Sequence, residues 1–392
     1  MTDPAARWGA SGLAWLTGEP TGPPDFSRAG VLERAGQVAD RLGVGADAAS
    51  LLAGRAALRG FTRGGRRSAG GASRLLAAAD GWWAITLSRP DDLDAVGALI
   101  CSEDPGEPWT ALTGWAADKL VAEAVARARL LDIPAAALGE ATAAAPTIRR
   151  VGSRGPARGA RGVLVVDLTS LWAGPLCGQL LARAGATVVK VESPSRPDGT
   201  RAGPREFFDW LNGGKLSCTV DFDSDRGFLA ELIGAADVVL EGSRPAALAR
   251  RGLGPLEVPA RPGRVWLQIT AHGGHDGFVG FGDDTAVAGG LVGYSYQDDC
   301  ALPVFCGDAI ADPLTGIEAA GAVLEALARG GGELITVALA AVAAGYAALP
   351  RHPAAADEHP VLAPRRPPIE ATGPALGADN ARVGELVAVS RC

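Results

Sequence analysis

Between residues 162 and 349 the chain alternates short, largely apolar runs with segments whose apolar positions recur every three or four residues. Val163–Leu168, Thr187–Glu192, Asp237–Glu241 and Val265–Ile269 are rich in β-branched residues, the pattern of strands buried on both faces. Between the first two, Ala173-Gly174-Pro175 opens a segment in which Leu176, Leu180, Leu181 and Ala184 share one helical face. Pro175 suits the first position of that helix, where its missing N–H costs nothing. Phe228, Leu229, Leu232 and Ile233 mark another helix, and from Ile310 onward Leu314, Ile317, Leu324 and Leu327 mark a long one. The charge-free, Ala-rich stretch Leu334–Leu349 reads as a buried helix. Strands alternating with helices of this length predict an open parallel sheet with right-handed crossovers. Such sheets bind ligands beyond the carboxyl ends of their strands.

Outside that region the pattern changes. Residues 1–146 carry helical periodicity with Gly-rich interruptions and a strand-like run at Gly81–Leu87, and are expected to form a smaller α+β domain. Residues 147–161 (PTIRRVGSRGPARGA) are basic, rich in Gly and Pro, and lack periodicity, as linkers do. Residues 162–349 are the α/β domain. Residues 350–392 form a tail, rich in Pro and Arg up to about 380, that is expected to wrap over a surface.

Composition narrows the function classes. A chain of 392 residues that is 47% hydrophobic can fill two sizeable cores. The formal net charge of −7 disfavours nucleic acid as a partner, since a phosphate backbone needs a basic face. Uninterrupted apolar runs are too short to span a bilayer, and no basic-then-apolar segment opens the sequence, so a cytoplasmic protein that does not enter membranes is expected. Six scattered cysteines without CxxC spacing argue against a metal site or a disulfide framework.

The chemistry concentrates in Gly307-Asp308-Ala309-Ile310-Ala311-Asp312-Pro313-Leu314-Thr315-Gly316. Asp followed by Pro is what an N-cap and first helical residue look like in any protein. A carboxylate at a helix start is also electrostatically favoured, and the same residue can serve as cap and nucleophile.

The blocks LTSLWAGPLCGQLLARAGATVVKVE, FFDWLNGGK and GDAIADPLTG resemble, in order and wording, the class III CoA-transferases (the CaiB/BaiF group). The resemblance implies an α/β fold with an open parallel-sheet CoA-binding domain, coenzyme A as co-substrate, no metal and no redox cofactor. It implies transfer of CoA from an acyl-CoA to a small carboxylic acid, with Asp312 attacking the thioester, and Asp308 as the fallback nucleophile. It implies CoA contacts at Leu171, Trp172 and Ala173 in the first βα turn, at Leu211 and Asn212, and at Arg250 toward a phosphate. It also implies a homodimer. Gly316, in the first turn after Asp312, is expected to leave room for the ligand.

Departures from the family pattern are specific. Where the family carries Arg after its VxxE, Glu192 is followed by Ser193, leaving Arg196 or Arg201 as substitutes. A mobile glycine loop has no counterpart beyond Gly70-Gly71. The related acyl-CoA racemases carry Gly-His-Asp upstream of the nucleophile. Here Gly282-Asp283-Asp284 stands instead, and neither His272 nor His275 falls into place. Proton exchange at an α-carbon wants a base of near-neutral pKa on each face, which makes racemase the second enzyme reading and non-catalytic acyl-CoA binding the reading from another class. Ser11–Pro24 resembles a phrase the family carries before its nucleophile, whose counterpart here is Gly289–Tyr294, and Arg66–Leu87 resembles the family's small domain. Both precede the α/β domain, so the layout is expected to be fused or permuted.

Overall fold

A computed structural model describes residues 3–242, 246–273, 277–297, 300–353 and 359–389. Arg244, His275 and Cys392 lie outside the described residues. The chain begins with four helices, α1 (Pro4–Ala10), α2 (Leu13–Leu16), α3 (Ala29–Arg41) and α4 (Ala48–Arg59). A small domain follows: β1 (Ser73–Ala78), β2 (Gly81–Thr86), α5 (Pro90–Asp94), α6 (Val96–Ile100), α7 (Pro108–Ala117), α8 (Val121–Leu130) and β3 (Ala135–Ala137). Its three strands form an antiparallel sheet in the order β1-β2-β3.

The rest is built on a seven-stranded sheet. After β4 (Thr147–Arg150) come β5 (Leu164–Leu168), α9 (Ala173–Arg183), β6 (Thr187–Glu192), α10 (Arg205–Asn212), β7 (Leu216–Thr219), α11 (Arg226–Ala235), β8 (Val238–Glu241), α12 (Ala246–Ala249) and β9 (Val265–Thr270). Then follow α13 (Gly282–Ala288), the hairpin β10 (Val292–Gln297) and β11 (Cys300–Phe305), α14 (Ala311–Ala328), β12 (Glu333–Ala338), α15 (Leu339–Ala347) and α16 (Asn380–Val389). The sheet runs β4-β12-β9-β8-β5-β6-β7, parallel throughout except for β4.

Alternation along the strands divides the interior into two layers. On one face Val165, Leu240 and Leu267 join Leu176 of α9, Leu314 and Ile317 of α14, and Trp8, Leu13 and Leu52 from the N-terminal helices. On the other, Val166, Val189 and Trp266 join Leu229 and Ile233 of α11 and Val383 of α16. Each fully buried aliphatic side chain contributes about 1.5–3 kcal/mol. The small domain has a core of its own around Trp83, Ile85, Leu112 and Val125. Residues 1–146 are therefore two units: α1–α4 share the core of the α/β sheet, and only the remainder closes a separate one.

Three expectations are corrected. Thr147–Arg150, read within a linker, forms the antiparallel edge strand β4 against β12. All four residues are exposed, and a solvated edge shows no apolar alternation to read. Leu334–Leu349 is a strand followed by a helix, because an interior parallel strand is as continuously apolar as a buried helix. Pro175 is the third residue of α9, which starts at Ala173. Gly330-Gly331-Gly332 forms the turn between α14 and β12, with positive φ at all three positions.

The tail packs back onto the rest of the chain. Leu362 N–H bonds to Gly9 O at 3.0 Å and Gly373 N–H to Asp209 Oδ1 at 2.8 Å. At the sheet edge Ser217 N–H donates to Asp379 Oδ2 (2.8 Å) and Thr219 N–H to Asn380 Oδ1 (2.9 Å), so β7 does not end as an open ladder.

Candidate active site

The site lies where α14 meets α9. A side chain at Gly316 would collide with the Ala173 carbonyl and Leu176, so glycine here brings the two helices together. That close packing, rather than ligand access, is its role. The N-cap of α14 is Ile310, and Asp312 is the second helical residue, not the cap. Two residues flanking this junction hold positive φ without being glycine: Leu171 at 72° and Ala309 at 42°. Such backbone strain persists only where the surroundings enforce it.

The first βα turn is enforced by buried ion pairs. Leu171 N–H points at the Asp198 carboxylate (3.2 and 3.3 Å), and Lys190 Nζ reaches Asp198 Oδ2 at 2.7 Å and Thr169 O at 3.0 Å. The Asp198 carboxyl is buried, which alone would raise its pKa, but Lys190 and Thr200 hold it below the usual carboxylate range. Beneath the turn Lys215 Nζ donates to Asp167 Oδ2 (3.0 Å), Pro175 O (2.8 Å) and Asn212 Oδ1 (3.0 Å). Arg201 grips Glu192 at 2.6 and 2.9 Å, so the arginine expected to substitute toward phosphate is instead tied to the strand end. Arg196 remains exposed.

The structure separates the expected CoA contacts. Leu171 is exposed, Trp172 and Ala173 are buried under it, and Arg250 is exposed just past α12. Leu211 and Asn212 are fully buried, with Asn212 donating to Phe208 O and accepting from Lys215. They underpin the turn instead of facing solvent.

Around Asp312 the balance of charge is different. Asp283, Asp284 and Asp308 are buried nearby, Asp312 is half-buried, and the cation among them is Arg55 of α4. Arg55 Nε and Nη2 donate to Asp308 at 2.8 and 2.5 Å, and its guanidinium lies over the Trp172 ring, 4.7 Å from the centroid. Asp283 accepts from Ala309 N–H (3.0 Å) and Ser73 Oγ–H (3.1 Å). Asp284 caps α13 by accepting from Phe281 N–H (2.9 Å) and takes Thr86 Oγ1–H (2.9 Å), while its Oδ2 has no partner among the described residues. Ser73 and Thr86 belong to the small domain, so that domain docks on the acidic pair of α13. Gly282 lies against the Asp312 carboxylate, where any side chain would collide.

Burial pushes the Asp312 carboxyl up to about 7, opposed by the field of Arg55 and augmented by Asp283. The group therefore holds its proton to higher pH than an exposed aspartate does. Asp284 is likewise pushed up to about 7, chiefly by burial. Asp283 is raised by burial and by Asp308.

The N-terminal helices hold the segment that leads into Asp308. Thr17 Oγ1 accepts from Gly307 N–H at 3.0 Å, Asp25 Oδ2 from Tyr294 N–H at 3.2 Å, and Arg28 donates to Gly290 O and Val292 O. A Cβ at Gly293 would meet the Thr17 methyl, so Ser11–Pro24 and Gly289–Tyr294, noted for their similar wording, also pack together. Arg55, Ser73 and Thr86 escaped sequence reading because their partners lie some two hundred residues away. His272 is half-buried, its pKa lowered to about 4 by burial and by Arg129, with Nδ1 3.8 Å from Glu140. It is not among the partners of Asp312. Among the described residues no group of three or more His, Cys, Asp or Glu is arranged to hold a metal, and no helix is long and apolar enough to cross a membrane.

The family model "CoA-transferase family III" matches residues 161–366. The chain is 30% identical over 203 residues to succinyl-CoA–D-citramalate CoA-transferase of Chloroflexus aurantiacus, covering 48% of this chain and 50% of that protein. It is 32% identical over 201 residues to succinate–glutarate CoA-transferase of Agrobacterium fabrum, covering 45% and 50%. A crystal structure of a CaiB/BaiF family protein from Brucella suis superposes with a TM-score of 0.43 at 30% identity, covering 50% of this chain and 56% of that one. The chain spans about half the length of the curated relatives it matches.

Proposed function

From the premise that this chain belongs to CoA-transferase family III, we propose that it moves coenzyme A from an acyl-CoA to a carboxylic acid, with Asp312 as the nucleophile. An Asp312 carboxylate oxygen attacks the thioester carbonyl, the C–S bond breaks, and CoA leaves as thiolate. The resulting mixed anhydride is attacked at the aspartyl carbonyl by the thiolate, giving an aspartyl-CoA thioester and the free donor acid. The acceptor carboxylate then displaces CoA to form a second anhydride. CoA thiolate finally captures the acceptor acyl group and regenerates Asp312. Covalent capture divides one difficult exchange into easier steps. The start of α14 stabilises negative charge at the carboxylate.

The observation that carries the reading is the placement of Asp312. It is half-buried at the start of α14, and α14 packs through Gly316 onto the βα turn of the CoA-binding region. In this proposal Leu171, Trp172 and Ala173 form the shelf for CoA, Leu211 and Asn212 hold that shelf from below, and Arg250 meets a phosphate. The citramalate and glutarate acceptors named for the two relatives suggest a small di- or hydroxycarboxylic acid here. A homodimer in the cytoplasm belongs to the same proposal and rests on the family resemblance alone.

Intact mass measurement after incubation with a small panel of acyl-CoAs, followed by hydroxylamine, tests it. Wild type is expected to gain an acyl or CoA adduct that hydroxylamine removes, and Asp312→Ala to gain none. An adduct that survives in Asp312→Ala, or tight acyl-CoA binding with no adduct in wild type, contradicts the proposal. The second outcome identifies a binding protein.

A further inference from the structure

Arg55 sits 253 residues before its partner Asp308 and comes from an N-terminal helix outside the segment that matches the family model. Its side chain is half-buried and committed on two sides. One edge donates a bidentate pair to Asp308, and one face covers Trp172 at 4.7 Å with Phe207 at 5.9 Å. A planar guanidinium can meet both demands at once, whereas a lysine ammonium supplies the charge without the fork or the flat face. The groups that face Asp312 are Arg55 from α4, Asp283 from α13, Asp308 from the turn before α14, and the Gly282 backbone N–H. Three of these are fixed by other bonds: Asp283 by Ala309 and Ser73, Asp308 by Arg55, and Arg55 by Asp308 and Trp172.

We propose that Arg55 is a positioning residue of the Asp312 site: gripped at its edge by Asp308 and at its face by Trp172, it fixes the positive charge that the nucleophile experiences. It touches no reacting atom. It acts through Asp308 and through its field, and the Trp172 contact ties that charge to the turn proposed to bind CoA. The placement explains why the N-terminal helices share a core with the α/β sheet, since α4 must be held in register for one guanidinium to reach the start of α14.

The inference rests on Asp312 as the proposed nucleophile, so its test is independent of any acyl-CoA. Full-length protein labelled with 13C at the aspartate carboxyl carbon is titrated by NMR, and the Asp312 signal is assigned by its loss in Asp312→Asn. Arg55→Met is expected to raise the Asp312 midpoint by about one pH unit or more. Arg55→Lys, which keeps the charge but loses the fork and the flat face, is expected to restore only part of that shift. Asp308→Asn is expected to lower the midpoint, because a negative charge leaves while the arginine stays. An unchanged midpoint in a folded Arg55→Met, or no fall in Asp308→Asn, overturns the proposal. If Arg55→Met does not fold, the Asp308→Asn and Arg55→Lys titrations decide. A wild type that titrates as expected but never forms an adduct removes the transferase reading and leaves this one standing.

Discussion

Two buried acidic regions lie within one helix packing of each other and are neutralised in opposite ways. At the ends of β5 and β6 each carboxylate has its own cation: Asp167 with Lys215, Asp198 with Lys190, Glu192 with Arg201. At the start of α14, Asp283, Asp308 and Asp312 share the field of Arg55, Asp308 takes that guanidinium in a bidentate grip, and Asp284 lies beside Asp283 on α13. The first region is a scaffold, because a buried charge that is paired and hydrogen-bonded is held in place. The second is poised, because carboxylates short of positive charge hold their protons to higher pH. Two groups at about 7 in the same corner of the molecule mark where proton affinity and charge can change during a reaction.

That contrast is broken most severely by removing a scaffold cation. Lys215→Met leaves Asp167 buried without its partner and strips the donor from Pro175 O and Asn212 Oδ1, with an expected cost of about 3–5 kcal/mol. Urea unfolding measures it, and a loss below about 1 kcal/mol denies that the pair holds the turn.

Asp284 supplies a pH test of intermediate size. Its folded pKa of about 7 exceeds the ordinary carboxylate value, so its contribution is complete only below the unfolded pKa, fades from about pH 4, and is gone once pH has risen past the folded value near 7. Wild type is expected to lose on the order of 2 kcal/mol from this group between pH 5 and pH 8, and Asp284→Asn to lose correspondingly less. Melting temperatures at the two pH values report the difference. Equal slopes for the two proteins remove Asp284 from the poised set.

The smallest effect sharpens the role of the small domain. Ser73→Ala deletes one donor to Asp283 and one partner of Thr86, with an expected cost of about 1 kcal/mol. Greater proteolytic sensitivity of the small domain in that variant accompanies it if the hydroxyls latch the domain to α13.

The scaffold was far more legible in the sequence than the poised region. Thr187–Glu192 is a strand with the expected ends, and the helix carrying Leu314 and Ile317 was plain from its periodicity, because burial on both faces or on one stripe writes itself into local pattern. Asp312 could be singled out, but the strained Ala309 and the Ile310 cap that set its position carry no local signature. Arg55 looked like any arginine in an amphipathic helix, since its meaning lies in Asp308 and Trp172, which only the folded chain brings to it. The raised pKa of Asp312 likewise follows from burial and from the Asp283 and Asp308 carboxylates beside it, neither of which a single segment encodes.

The central claim is that the acidic cluster under Arg55 gives a nucleophile that titrates near neutrality. The rate of adduct formation on wild type, followed by mass spectrometry from pH 5 to pH 9 with one reactive acyl-CoA, measures it directly. The account predicts a rate that climbs through a midpoint near pH 7 and levels above it, as the Asp312 carboxylate is uncovered. A rate already at its plateau at pH 5 would contradict it, showing an ordinary carboxylate that was ionised all along.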